Sequence, residues 1–131
     1  MEKSDFTILV ADDDPDYLFQ TVNNLGRAGY KTVAVESQAE AESVIQKMKP
    51  SLAIIDRMME YEDSGFILCY KIKKKYPDVP VILATGVAHE TGISFSLDSE
   101  SEKSWIKADR YLEKGIRPEQ FDMEIMKLLK L

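Results

Sequence analysis

The stretch SLAIIDRMME, residues 51–60, sets four apolar residues, Leu52 to Ile55, directly against an aspartate, after which the chain turns polar. A short, continuous apolar run suits a β-strand buried on both faces, where a half-exposed strand would alternate. A buried carboxylate without a partner costs several kcal/mol or more. Asp56 is therefore expected either to reach solvent or to meet a partner such as a metal ion.

Four further strand-length runs flank this one: FTILVA (6–11), KTVAVE (31–36), VPVILAT (79–85) and the weaker RYLE (110–113). Helix-period segments lie between them. Leu18, Val22 and Leu25 share a face after Pro15, a favoured early-helix residue. Ala41, Val44, Ile45 and Met48 repeat the pattern before Pro50. Leu68, Cys69, Ile72 and Tyr76 do so after Ser64, a candidate N-cap. Phe121, Ile125, Leu128 and Leu129 follow Pro118. This alternation of strand and helix predicts an α/β fold, a three-layer, doubly wound parallel sheet covered on both faces. Between Thr85 and Lys114 the rhythm breaks. The polar segment GVAHETGISFSLDSESEKSWIKAD reads as an extended loop over about 86–100 and a short helix over about 101–108.

A chain of 131 residues with 44% apolar composition fits one domain with a proper core, here taken as 1–131. The net charge of −6 argues against a nucleic-acid-binding face, which needs a basic patch. The single cysteine, Cys69, leaves no disulfide framework. No apolar run approaches the ~20 residues of a membrane span, and the N-terminal run is too short for a signal peptide. Together these predict a soluble, acidic, cytoplasmic domain.

In open parallel α/β sheets, sites form at the carboxyl ends of the strands, near the point where strand order reverses. Those ends carry Asp12, Asp13 and Asp14, then Asp56, Thr85, and Glu113 with Lys114. Two carboxylates about 5 Å apart repel by roughly 3 kcal/mol at an effective dielectric of about 20. A divalent cation relieves this, and an oxygen-only site that keeps waters suits Mg²⁺ or Mn²⁺. A carboxylate can also accept a phosphoryl group as an aspartyl phosphate, chemistry that needs a cation and donors to the equatorial oxygens. A helix cap alone would explain Asp12 to Asp14 less fully. An EF-hand is excluded because DDDPDYLFQTVN lacks the central glycine and terminal glutamate.

ILVADDDP, LAIIDRMM, PVILATG and YLEK, in this order, resemble the motifs of the receiver domain of two-component response regulators over about residues 6–130. The resemblance implies a five-stranded (βα)5, flavodoxin-like fold similar to the chemotaxis response regulator. It implies that Asp56 accepts a phosphoryl group from a histidine kinase, and that Asp12, Asp13, Asp56 and the Met58 carbonyl hold Mg²⁺. Thr85 and Lys114 then contact the phosphoryl group, and Tyr111 falls on the family's switch aromatic, although simple core packing explains it equally well. By the same resemblance, Met58 and Val87 fall on positions that flank the path of an attacking water in this family. Both are apolar, which predicts a long-lived aspartyl phosphate.

The sequence departs from the family pattern in its loops. Glu60 and Tyr61 stand where a proline and a glycine are usual, Asp63–Ser64 where an aspartate–glycine pair is usual, with Gly65 one later, and Gly115 replaces the proline after the lysine. The expectation is a stand-alone receiver that signals to an unknown downstream protein through the face around residues 86–117, as a monomer or a phosphorylation-dependent dimer. The alternatives are a phosphorelay shuttle to a histidine phosphotransfer protein and a phosphorylation-independent interaction module. A metal-dependent phosphatase of the aspartyl-phosphate type is disfavoured, because it needs an acid–base aspartate where Met58 stands. His89 reads as an exposed loop residue, Trp105 as either an anchor or an exposed contact, and KIKKKY (71–76) as a solvated helix end.

Overall fold

A computed structural model describes residues 2–86 and 108–131. The expected loop and short helix over 86–108, including Val87, His89 and Trp105, fall almost entirely outside the described residues. The elements are β1 (Thr7–Ala11), α1 (Pro15–Ala28), β2 (Lys31–Val35), α2 (Gln38–Lys47), β3 (Leu52–Asp56), α3 (Ser64–Lys75), β4 (Val81–Thr85), β5 (Arg110–Glu113) and α4 (Pro118–Leu129). All five strands are parallel in the order β2-β1-β3-β4-β5, which reverses direction between β1 and β3.

Strand parity builds two cores from three central strands. Ile8, Val10, Leu52, Ile54, Ile82 and Ala84 face α1 and α4, where they meet Leu18, Leu25, Phe121 and Ile125. Their neighbours Leu9, Ala11, Ala53, Ile55, Val81 and Leu83 face α2 and α3, against Ala41, Ile45, Leu68, Cys69 and Ile72. Because both faces are covered, β1, β3 and β4 carry no polar alternation, and the continuous apolar runs follow directly from that.

The helices start and stop as their terminal residues dictate. Asp14 caps α1 by accepting from the backbone N–H groups of Asp16 and Tyr17, and Pro15 occupies the first turn. At the other end of α1, Gly29 adopts φ 110°, a left-handed conformation that glycine enters without steric cost. Ser37 caps α2, accepting from Glu40 N–H. Ser64 does not cap α3. It is the first helical residue, with Asp63 at the cap position, and its buried hydroxyl accepts from Tyr61 N–H at 2.9 Å.

The run KIKKKY is also less solvated than its composition suggests. Lys73 pairs with Asp109 at 2.7 Å and Lys71 with Glu42 at 2.9 Å. Asp109 also accepts from Val81 N–H, which ties α3 to the start of β4. Across the molecule, Asp122 of α4 receives both the Tyr30 hydroxyl and the Lys3 ammonium at 2.7 Å, fastening the last helix to the N-terminal turn.

Gly65 allows α3 to begin directly against β3. Its N–H donates to Arg57 O at 2.8 Å, and a Cβ there would meet Asp56 O at 2.4 Å and Arg57 Cα at 2.6 Å. Both obstacles are backbone and cannot swing aside. Gly65→Ala is therefore expected to lower stability by about 1–3 kcal/mol, the usual cost of overpacking. Urea denaturation checks this, and an unchanged midpoint would contradict the reading.

Candidate functional site

The strand parity that builds the α1/α4 core continues past the strand ends. Asp56 is in phase with Leu52 and Ile54, Asp12 with Ile8 and Val10, and Lys114 with Leu112. All three side chains accordingly converge at the carboxyl end of the sheet, beside the β1/β3 reversal. Asp12 is 2% exposed and Asp56 8%, while Asp13 is exposed. One carboxylate oxygen from each of Asp12, Asp13 and Asp56 lies within 4.8 Å of the other two.

Lys114 offsets part of this crowding. Its ammonium lies 2.8 Å from Asp12 Oδ2 and 3.4 Å from Asp56 Oδ1. The other Asp12 oxygen accepts from Asp14 N–H at 2.9 Å, and Met58 N–H approaches Asp56 Oδ1 at 3.5 Å. One cation does not balance three carboxylates. Burial, followed by the charge of Asp12, pushes the Asp56 carboxyl up to about 7 against the opposing pull of Lys114. Burial also works against the Lys114 ammonium, yet its bond to Asp12 and the field of Asp56 prevail and raise its pKa. The donor set, three carboxylates with an oxygen-only character, fits a hard divalent cation such as Mg²⁺.

Thr85 ends β4, opposite Glu113 and one position beyond Ala84, which pairs with Asp56. It is buried, and its carbonyl accepts from Lys114 N–H at 2.8 Å, so the β4 and β5 ends are locked together at the site. Tyr111 has the opposite parity to Lys114. It pairs with Leu83 and packs on the α2/α3 core, where burial, with Cys69 nearby, raises its phenol pKa. Among the sequence-predicted residues, the structure thus brings Asp12, Asp13, Asp56 and Lys114 together, with Met58 and Thr85 adjoining and Tyr111 on the other face.

Tyr17 was not anticipated. It projects from the first turn of α1, and its ring lies 4.7 Å from the Lys114 ammonium, close enough for a cation–π contact. Burial raises its phenol pKa, against the opposing influence of Thr21 and the Lys114 ammonium. The available signal was its place early in a helix starting at Pro15, because helical side chains point back toward the N-terminus. Beyond Tyr17, a cleft of about 590 Å³ runs between α1 and α4 from Lys114 to Asp122.

The model of the response regulator receiver domain matches residues 8–125. The chain belongs to this family. Receiver domains are phosphoacceptor modules of two-component systems. They use Mg²⁺ at an acidic pocket and partner with histidine kinases. The receiver is similar to a CheY-like receiver domain from Methanospirillum hungatei, with TM-score 0.80 and 27% identity over 95% of this chain and 94% of that one. It is also similar to the response regulator TrrA of Thermotoga maritima, solved with Mg(2+)-BeF, with TM-score 0.76 and 26% identity over 98% and 99%. Among curated relatives, the probable transcriptional regulator ycf27 of Pyropia yezoensis is 29% identical over 99% of this chain. GltR of Pseudomonas aeruginosa is 30% identical over 95%. The chain spans about half the length of these two relatives, 50% and 49%. Among the described residues no helix is long and apolar enough to cross a membrane.

The raised pKa of Asp56 has a definite sign in folding. An unfolded aspartate ionises near 3.8, whereas Asp56 in the fold keeps its proton until about 7. The folded state then holds more protons across that window, so metal-free stability falls as pH rises from about 4 to about 7. Asp56→Asn is expected to flatten that slope and to gain on the order of 2 kcal/mol at neutral pH. Urea titrations in EDTA across this pH range check it. Parallel slopes for the two proteins would contradict the reading.

Proposed function

We propose that Asp56 is the phosphoacceptor of a Mg²⁺-dependent receiver, and that residues 1–131 work as one such domain. The observation carrying this is the convergence of Asp12, Asp13 and Asp56 within 4.8 Å, with the Lys114 ammonium reaching two of them. In the proposed reaction an Asp56 oxygen attacks the phosphorus of a phosphohistidine on a kinase. An O–P bond forms as the N–P bond breaks, and the histidine nitrogen departs with the electron pair. Attack needs the carboxylate form, which the raised pKa of Asp56 disfavours in the metal-free site. Asp12, Asp13, Asp56 and the Met58 carbonyl are the proposed ligands. When bound, Mg²⁺ supplies the positive charge that keeps Asp56 ionised and shields the incoming phosphoryl oxygens. The related TrrA structure, solved with Mg(2+)-BeF, supports this reading.

Lys114 then transfers its ammonium from the carboxylates to the phosphoryl oxygens, and the Thr85 hydroxyl donates to another. The phosphoryl group adds about −1.5 to −2 charges. Because Thr85 and Lys114 are joined through the backbone, their movement reaches β5 and Tyr111, and we propose that this reshapes the face around residues 86–117 for a downstream protein. To shift such an equilibrium from 1:99 to 99:1, phosphorylation must favour the active state by about 5.5 kcal/mol.

Incubation with acetyl phosphate and Mg²⁺ is expected to add one phosphoryl mass in intact-mass spectrometry. Neither Asp56→Ala nor an EDTA-treated sample should gain it. An adduct that persists in Asp56→Ala would overturn the assignment. Met58 and Val87 are apolar at the two sequence positions that flank the attacking water in receiver domains, which predicts slow hydrolysis of this adduct. Met58→Asn and Val87→Glu are expected to shorten its lifetime several-fold, read by loss of the adduct mass over time. Unchanged lifetimes in both would sink that part of the reading.

A further inference from the structure

Glu60 lies four residues beyond Asp56 in the β3–α3 loop, and its carboxylate reaches out of that loop to another element. One oxygen accepts from Gln38 N–H at 2.6 Å and the other from Ala39 N–H at 3.1 Å. These are the first two residues of α2, whose opening N–H groups have no partner inside the helix. Ser37, the local cap, takes Glu40 N–H at 3.1 Å. Glu60 therefore caps α2 from 21 and 22 positions away in sequence, with an anion where the helix dipole favours one.

The loop carrying Glu60 is fastened elsewhere as well. Met59 is buried in the α2/α3 core, and Met59 N–H donates to Tyr61 O at 3.2 Å. Gly65 closes the loop against the backbone of Asp56 and Arg57. Met58 lies between Asp56 at the strand end and the pinned residues Met59 and Glu60, so the direction of its carbonyl depends on both anchors. In the pattern this chain resembles, a proline stands at position 60. Here a two-bond tether to a neighbouring helix takes the place of a fixed backbone angle.

We propose that Glu60 is a positioning residue for the cation site: by fastening the β3–α3 loop to the N-terminus of α2, it fixes the Met58 carbonyl relative to Asp12, Asp13 and Asp56. This rests on the reading of that pocket as a Mg²⁺ site. Groups that orient metal ligands without touching the metal typically affect affinity by about 10–100-fold. A purely structural role, capping α2, would leave Mg²⁺ affinity alone, and Ser37→Ala reproduces that role because it removes a cap from the same helix without touching the loop.

Calorimetric titration of Mg²⁺ into the wild-type protein, Glu60→Ala, Glu60→Gln and Ser37→Ala separates the possibilities. Glu60→Ala is expected to bind Mg²⁺ about tenfold more weakly. Glu60→Gln, which keeps an acceptor oxygen but not the charge, should fall between it and the wild type, and Ser37→Ala should match the wild type. If Glu60→Ala fails to fold, the Glu60→Gln and Ser37→Ala pair carries the comparison. Wild-type affinity in both Glu60 variants, or an equal loss in Ser37→Ala, would overturn the inference. A wild-type protein that binds no Mg²⁺ would instead overturn the metal reading beneath it, and this inference with it.

Discussion

The Lys114 ammonium between Asp12 and Asp56 is the interaction on which the carboxyl end of the sheet depends. Two nearly inaccessible carboxylates and a third within 4.8 Å would be a costly arrangement without it. The lysine directly follows the strand farthest along the chain from β1, so the pair holds the sheet end together across a sequence separation of about a hundred residues. It also leaves the charge uncompensated by design of the geometry, since one ammonium faces three carboxylates. A set of carboxylates left in excess is the kind of donor chemistry that a hard divalent cation takes. The Tyr17 ring lies against the same ammonium from the α1 side, 4.7 Å away.

The same economy runs through the loop residues. Of the three consecutive aspartates after β1, Asp12 meets Lys114, Asp13 faces the open side of the pocket, and Asp14 serves as the cap of α1. Helix initiation and site construction therefore share a single tripeptide. Gly65 does comparable double service on the neighbouring strand, by starting α3 and by closing the backbone around Asp56. Such sharing couples the site to the helices: moving Asp14 would uncap α1, and moving Gly65 would unseat α3.

Much of this was legible in the sequence because the relevant signals are local. Runs such as LAII and VILAT lack alternation, and only a strand covered on both faces requires that. Each strand end then names its own site residue. What escaped was long-range. Ser64 looks like a cap from its type, but Asp63 takes that position while the Ser64 hydroxyl serves Tyr61. The lysines of KIKKKY look solvated, yet Lys73 and Lys71 find Asp109 and Glu42 on other elements. Glu60 and Tyr17 acquire their roles from partners more than twenty residues away, and no spacing rule reaches that far.

The strand order also bears on strand pairing with other chains. β2 and β5 are the outermost strands, and an outer strand with free backbone groups can template pairing with another chain. β5 is only four residues long and is bracketed by the charged Arg110 and Glu113, while β2 opens on the exposed Lys31. Short length and charged ends both disfavour intermolecular strand addition. The strand that leads into Lys114 and carries Tyr111 thus stands at the rim of the sheet with two features that oppose edge-to-edge pairing.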